Sequence, residues 1–313
     1  MREMISSVFA GREIELAWKP DTEEIPSLIR DGFIPIEMAE GSVSYTDALE
    51  LDHHNHLSDR PAACVTALRH YGHVRKGAKA RFMANHADAD CILSALTLFG
   101  LLDRSIHEIL NAEVGILDVA PIGAPIWEFR YGRTINGWKA AMAGEKRSGW
   151  SWLFGLNLFH DMISREGEYE TYLLGVDQKE NDRLEAARKD ISTALKGNSG
   201  RTAAFVSSVW GFDSQFGRRR NEPADSLEGW DYWCLIAYVE NARKATLSAP
   251  SEAIAEKAFG KGGLMNVYPL LPRIGGKEWG GRPSVGGSPR GESMTAEMLP
   301  DILSVVEAAL SAE

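Results

Sequence analysis

"MANHADADCILSAL", residues 83–96, holds the change of pattern on which the fold turns. An apolar run ends there, His86, Asp88 and Asp90 alternate with alanine, and from Cys91 to Leu102 twelve residues are almost all apolar. Such a segment lacks a polar face and reads as a buried helix, yet it is too short to span a bilayer. A strand that feeds a buried helix through an acidic loop is half of a βα unit. Parallel sheets built from such units collect their ligands at the carboxyl ends of the strands.

The neighbouring segments extend this pattern. "EIELAW" at 13–18 alternates apolar and polar residues, and "GFIPIEM" at 32–38 is short and β-branched, with Pro35 placing it at a sheet edge. "ALEL" at 48–51 reads as a strand end, the spacing over 62–71 predicts a helix, and "EVGILDVA" at 113–120 reads as a buried strand ending near Asp118. The middle, roughly 127–200, is rich in tryptophan (Trp127, Trp138, Trp150, Trp152), which predicts packing, and turns helical at "NDRLEAARKDISTALK". "TAAFVSSVW" and "WDYWCLIAYVE" read as strands of a second unit, although 230–240 also fits a helix, and "GLMNVYPLLP" reads as a further strand before a last helix at about 299–311. The expected fold class is therefore α/β. A parallel-sheet catalytic domain spans 1–200 and a smaller α+β substrate-binding domain spans 201–313.

Composition excludes several classes. Apolar residues at 44% and charged residues at 25% describe an ordinary globular chain, and 313 residues suit two domains sharing a cleft. A formal charge of −10 disfavours long nucleic acid; the run Arg218, Arg219, Arg220 reads as a solvated turn. Cys64, Cys91 and Cys234 have no metal or redox spacing, and the N-terminal stretch lacks a signal-peptide pattern. Cytoplasmic residence, no membrane association and a homodimer are the expectations.

The chemistry concentrates in two places. "LELDHHNHLSDRPAACV" at 49–65 sets Asp52, His53, His54 and His56 within five positions, in a chain with eight histidines. The second place is His86-x-Asp88-x-Asp90, whose alternate residues share one side if the segment is extended. Mixed imidazole and carboxylate donors suit divalent ions such as Mn²⁺, and a pair of ions needs a bridging carboxylate. One aspartate here could simply cap the following helix, but a cap does not account for the rest of the group. A Gly-rich stretch with Arg282 and Arg290, 278–294, reads as an oxyanion cradle or a plain loop.

These residues resemble the DHH phosphoesterase superfamily. Asp52, His53 and His54 match its DHH triplet, and His86, Asp88 and Asp90 match its His/Asp-x-Asp metal motif. Asp118 matches its isolated aspartate, and "GGRPSVGGSPRG" at 280–291 matches its C-terminal substrate loop. Here the DHH triplet comes first, the metal motif is two residues shorter than usual, and Arg282 stands where a histidine is common, so the resemblance implies a rearranged connectivity. It implies two Mn²⁺ ions, with Zn²⁺, Fe²⁺ or Co²⁺ as alternatives, held by Asp52, His53, His86, Asp88, Asp90 and Asp118. His53 and His54 are the catalytic candidates, with His54 contacting substrate or protonating the leaving group, and His56 is a further ligand or a supporting group. Arg282, Ser288 and Arg290 would hold a small anionic, phosphorylated substrate. Two other readings stay open: hydrolysis of a C–N or C–O bond at the same metals, and a non-catalytic nucleotide-binding module.

Overall fold

The computed structural model describes residues 3–40, 43–54, 57, 60–119, 126–209, 215–219 and 221–311. His56, Arg220 and Ala120 lie outside the described residues, as does the Trp127 side chain. The chain is mixed α/β and divides into two compact units, the boundary falling after Asp177 inside a long helix rather than at the expected position 200.

The first unit opens with a hairpin of β1 (Glu3–Phe9) and β2 (Arg12–Trp18). Its two-residue turn, Ala10 and Gly11, has positive φ at both positions, the twist that matches a right-handed strand pair. After α1 (Ile25–Arg30) come β3 (Ile34–Pro35) and a small separate hairpin of β4 (Met38–Glu40) and β5 (Val43–Tyr45). The short helix α2 (Ala63–Ala67) is next along the chain, then β6 (Ala80–Ala84) and α3 (Ala89–Phe99). The main sheet has the order β1-β2-β6-β3, with β6 parallel to both of its neighbours and β1 antiparallel to β2. An all-parallel sheet is the expectation from the sequence; the tight Ala10-Gly11 turn permits only an antiparallel return, so the sheet is mixed. Pro35 sits on the edge strand, where its missing N–H costs no ladder bond.

Every residue of α3 is buried, as its unbroken apolar run requires, and the helix packs against α2, α4 (Arg104–Val119) and α6 (Gly149–Ser164). Between α4 and α6 lies α5 (Gly132–Met142). Segment 113–120 is not a strand: residues up to Val119 form the last turns of α4, which buries His107, Leu110, Asn111, Val114 and Leu117 at helical spacing. An eight-residue window cut from a sixteen-residue helix hid that period. Polar bonds fix α4 to its neighbours. Asn111 donates to the Cys64 carbonyl at 2.6 Å and to Thr97 Oγ1 at 2.8 Å, and Thr97 Oγ1 lies 3.0 Å from His107 Nδ1. Trp138 and Trp152 are core residues as expected, whereas Trp150 is exposed. Residues 48–51 make a turn rather than a strand.

The second unit takes over within α7 (Glu170–Ser192) and carries β7 (Leu195–Lys196), β8 (Thr202–Val206), β9 (Cys234–Val239), β10 (Lys244–Ser248), α8 (Glu252–Phe259), β11 (Gly280–Gly281), β12 (Val285–Gly287) and α9 (Leu299–Ala308). Its six strands run in the order β11-β12-β10-β9-β8-β7, with only the β8–β9 pair parallel. The ambiguous segment at 230–240 contributes a strand, because a central position buried on both faces selects a continuous apolar run. "GLMNVYPLLP" is not a strand but two 3₁₀ turns, Gly263–Asn266 and Tyr268–Leu270, that meet at Val267. No helix among the described residues is long and apolar enough to cross a membrane.

Candidate metal centre

Two adjacent parallel strands, β3 and β6, end side by side, and the loops leaving their carboxyl ends supply Glu37, His86 and Asp88. Past β3, Ile36 N–H still donates to the Met83 carbonyl at 3.0 Å; the chain then turns at Glu37, whose φ of 50° is left-handed. That conformation is uncommon for a side chain of this size, and it splits the predicted strand 32–38 into β3 and β4. Glu37 is 1% exposed. Past β6, Asn85 to Asp88 form the loop into α3, with Asp88 as N-cap accepting from Cys91 N–H at 3.0 Å.

Glu37 is the hub of the site. His53 Nε2 lies 3.0 Å from Glu37 Oε1 and 3.0 Å from Asp118 Oδ2, with Asp90 Oδ2 at 3.7 Å. On its other oxygen, Glu37 Oε2 is 3.0 Å from His86 Nε2, which is 3.4 Å from Asp88 Oδ2. Two donor groups result, Glu37–His53–Asp90–Asp118 and Glu37–His86–Asp88, with Glu37 common to both; a third, Glu37–His53–His54, brings in the next imidazole. Within each group the donor atoms lie within 4.8 Å of one another.

The structure places His53, Asp90 and Asp118 in one of these groups and His86 and Asp88 in another, by routes that differ from expectation. His86, Asp88 and Asp90 do not share one side, because α3 begins at Ala89 and its turn carries Asp90 away from the loop. Asp90 faces α2 instead, where its two oxygens accept from Ala63 N–H at 2.8 Å and Cys64 N–H at 2.7 Å. Asp118 arrives one residue from the C-terminal end of α4, where the helix dipole disfavours an anion and a neighbouring cation is needed to offset it. Asp52 belongs to none of the donor groups. It is 1% exposed, its Oδ1 lies 2.9 Å from His54 N and 3.0 Å from His54 Nδ1, and its Oδ2 has no partner among the described residues. Its place is behind His54, and the shared carboxylate is Glu37.

Glu37 is inconspicuous in the sequence, a lone acid between Ile36 and Met38 in a segment that reads as a strand. A carboxylate interrupting an apolar run next to a Pro-marked edge is the available signal, and a weak one.

The electrostatics arise from the crowding. Burial pushes Glu37 upward, but hydrogen bonds from His53 and His86 outweigh it and hold its carboxyl well below the usual range. His53 holds its proton more tightly than usual because Asp118 and Glu37 accept from it. Burial opposes protonation of His86, yet Glu37 and Asp88 raise it to about 9. Burial and the charge of Glu37 push Asp90 up. Desolvation and Glu37 also raise Asp88, although 49% of its side chain stays open to water, which moderates the shift. Four carboxylates therefore converge on His53 and His86, and the nearest of them favour the protonated imidazoles. Mixed oxygen and nitrogen donors fit Mn²⁺-type ions, and no cysteine takes part: all three are buried and free.

A cavity of about 530 Å³ adjoins this centre, with His54, His86 and Asp88 among its lining residues. Arg282, Ser288 and Arg290 belong to the second unit. Ser288 Oγ accepts from Ala245 N–H at 3.2 Å, and both arginines are exposed. The glycines of that stretch serve a hairpin, β11–β12. A Cβ on Gly281 would collide with Gly286 Cα, and one on Gly286 would collide with the Tyr268 ring and hydroxyl. Compared with protein-family models, with curated proteins and with solved structures, the chain matches none of them.

Proposed function

We propose that this chain is a metal-dependent hydrolase of a small anionic, phosphorylated substrate, with Glu37 common to the two donor groups that would hold a pair of divalent ions. The observation that carries the reading is the convergence of carboxylates and imidazoles around the buried Glu37, which is common to both donor groups. Mn²⁺ suits the donor set best. Bound there, the ions supply Lewis acidity and an acidified water for attack on the electrophilic centre.

The chain's own residues do the rest. Glu37, His53, Asp90 and Asp118 would hold one ion, and Glu37, His86 and Asp88 would hold the other. The N-terminus of α3, beginning at Ala89, adds positive potential where an anionic substrate would rest. His54 lines the cavity, and Asp52 takes its Nδ1 side, an orientation that suits proton donation to a leaving oxygen. The likeness of Asp52–His54 and His86–Asp90 to the DHH phosphoesterases supports phosphoester or phosphoanhydride hydrolysis within this proposal.

Elemental analysis of protein purified without chelator tests the reading first, with about two transition-metal ions per chain expected. A panel of phosphomonoesters, phosphodiesters and phosphoanhydrides with Mn²⁺ then tests the reaction. Release of ammonia or a carboxylate without phosphate moves the reading to C–N or C–O hydrolysis. Metal content that stays near zero after Mn²⁺ addition overturns it.

A further inference from the structure

Asn85, the residue between the end of β6 and His86, makes two hydrogen bonds that together decide how His86 faces the centre. Its Nδ2 donates to the Ala39 carbonyl at 2.6 Å, and its Oδ1 lies 2.5 Å from His86 Nδ1. Neighbouring side chains on an extended strand point to opposite faces, so this contact arises only because β6 ends at Ala84 and the chain turns into its loop. A carbonyl oxygen can only accept, so the amide N–H₂ of Asn85 faces Ala39 and its oxygen faces the ring. That oxygen also only accepts, so His86 Nδ1 carries a proton. Nε2 is left 3.0 Å from Glu37 Oε2 and 3.4 Å from Asp88 Oδ2, within its donor group. The Ala39 carbonyl is itself held in place. Ala39 pairs with Ser44 in the β4–β5 hairpin, and Ser44 Oγ donates to the His54 carbonyl at 3.0 Å. One paired position of the hairpin thus reaches both the loop of His86 and the loop of His54.

From these contacts we infer that Asn85 is a positioning residue of the metal centre: it fixes His86 as the tautomer with hydrogen on Nδ1 and leaves the Nε2 lone pair for an ion. The inference rests on the proposed two-ion centre. A metal-binding imidazole whose other N–H is held by a carbonyl or carboxylate keeps its ring orientation and is the stronger ligand. Losing the Asn85 oxygen frees the His86 ring to turn over or to change tautomer. The role needs the acceptor at position 85, whereas the bond to Ala39 serves to point that acceptor at the ring.

The probe is Zn²⁺, diamagnetic and suited to mixed imidazole and carboxylate donors. It is titrated calorimetrically into the chelator-treated full chain, and the histidines of the loaded protein are read by nitrogen-15 NMR. Wild type should take up about two ions per chain, with His86 bound through Nε2 and protonated on Nδ1. Asn85→Leu removes the acceptor at similar volume and should weaken one of the two ions by about 10–100-fold. Asn85→Asp also loses the bond to the Ala39 carbonyl but keeps an acceptor for Nδ1–H, so it should bind both ions at or above wild-type affinity. Circular dichroism checks folding, and Asn85→Ala replaces the leucine variant if the bulk is not accommodated. A role confined to tethering the loop would weaken the acceptor-less and aspartate variants alike. That result, wild-type affinity in the acceptor-less variant, or His86 bound through Nδ1 in wild type overturns this inference and leaves the metal-centre reading standing. Wild-type protein that takes up no ion defeats both.

Discussion

Replacing Glu37 by glutamine keeps the shape of the hub and removes its charge. Glu37 touches both donor groups, so the substitution should weaken both ions together, whereas loss of a peripheral ligand would weaken one. A carboxylate about 4 Å from a unit charge contributes ~4 kcal/mol at an effective dielectric of 20. Desolvation of the buried group offsets part of this, leaving about 2.7 kcal/mol, or roughly 100-fold in affinity. At a Mn²⁺ concentration 100 times the wild-type Kd, binding stabilises the native state by ~2.7 kcal/mol, and a 100-fold weaker site leaves ~0.4 kcal/mol. In thermal unfolding a Mn²⁺-induced rise of roughly 5–10 °C should shrink to about 1 °C. The metal-free variant should remain folded, since glutamine retains an acceptor for His53 and its amide N–H can donate to His86 Nε2 once the Glu37 charge that favours the His86 proton is gone. Elemental analysis alongside the melting curves gives the stoichiometry. A Glu37→Gln protein that binds both ions with wild-type affinity would refute the shared-carboxylate argument.

Three further outcomes concern individual residues. His54→Asn should leave metal content unchanged and lower kcat by about 10²–10⁴-fold if His54 is the proton donor, read from steady-state kinetics with metal content measured in parallel. His107 is fully buried between Thr97 and Asn111, and burial depresses its pKa to about 4. Its folded pKa lies below the unfolded value near 6.5, so its contribution is present above that value and is lost as pH falls through the window to 4. That loss amounts to about 3 kcal/mol, and denaturant titrations across the window should show stability falling more steeply with falling pH in wild type than in His107→Gln. Gly286→Ala drives a Cβ into the Tyr268 hydroxyl and should cost about 1–3 kcal/mol, seen as a lowered denaturation midpoint with metal binding intact.

Much of the first unit was legible in local pattern. Alternation over 13–18 marked β2, Pro35 marked an edge, and the unbroken apolar run after Asp90 marked a helix buried on all sides. Each of these signals lies within one element, where periodicity and backbone chemistry act over a few residues. Clustering of titratable side chains marked the site for the same reason: histidines and aspartates at such density are costly to keep together unless they bind something.

The sequence alone determined that His53, His86, Asp88 and Asp90 are candidates for metal binding, through local density and the position of a helix start. It did not determine the hub. Glu37 becomes central because β3 lies beside β6 and a left-handed residue turns its carboxylate between two imidazoles, a relation across 16 and 49 positions that no window contains. Asp118 likewise joins from a helix end through the packing of α4 on α2 and α3, and Asp52 is diverted to His54 by buried geometry. Local sequence sets which donors are available; only the parallel pairing of strands and the packing of helices around α3 decide which of them meet.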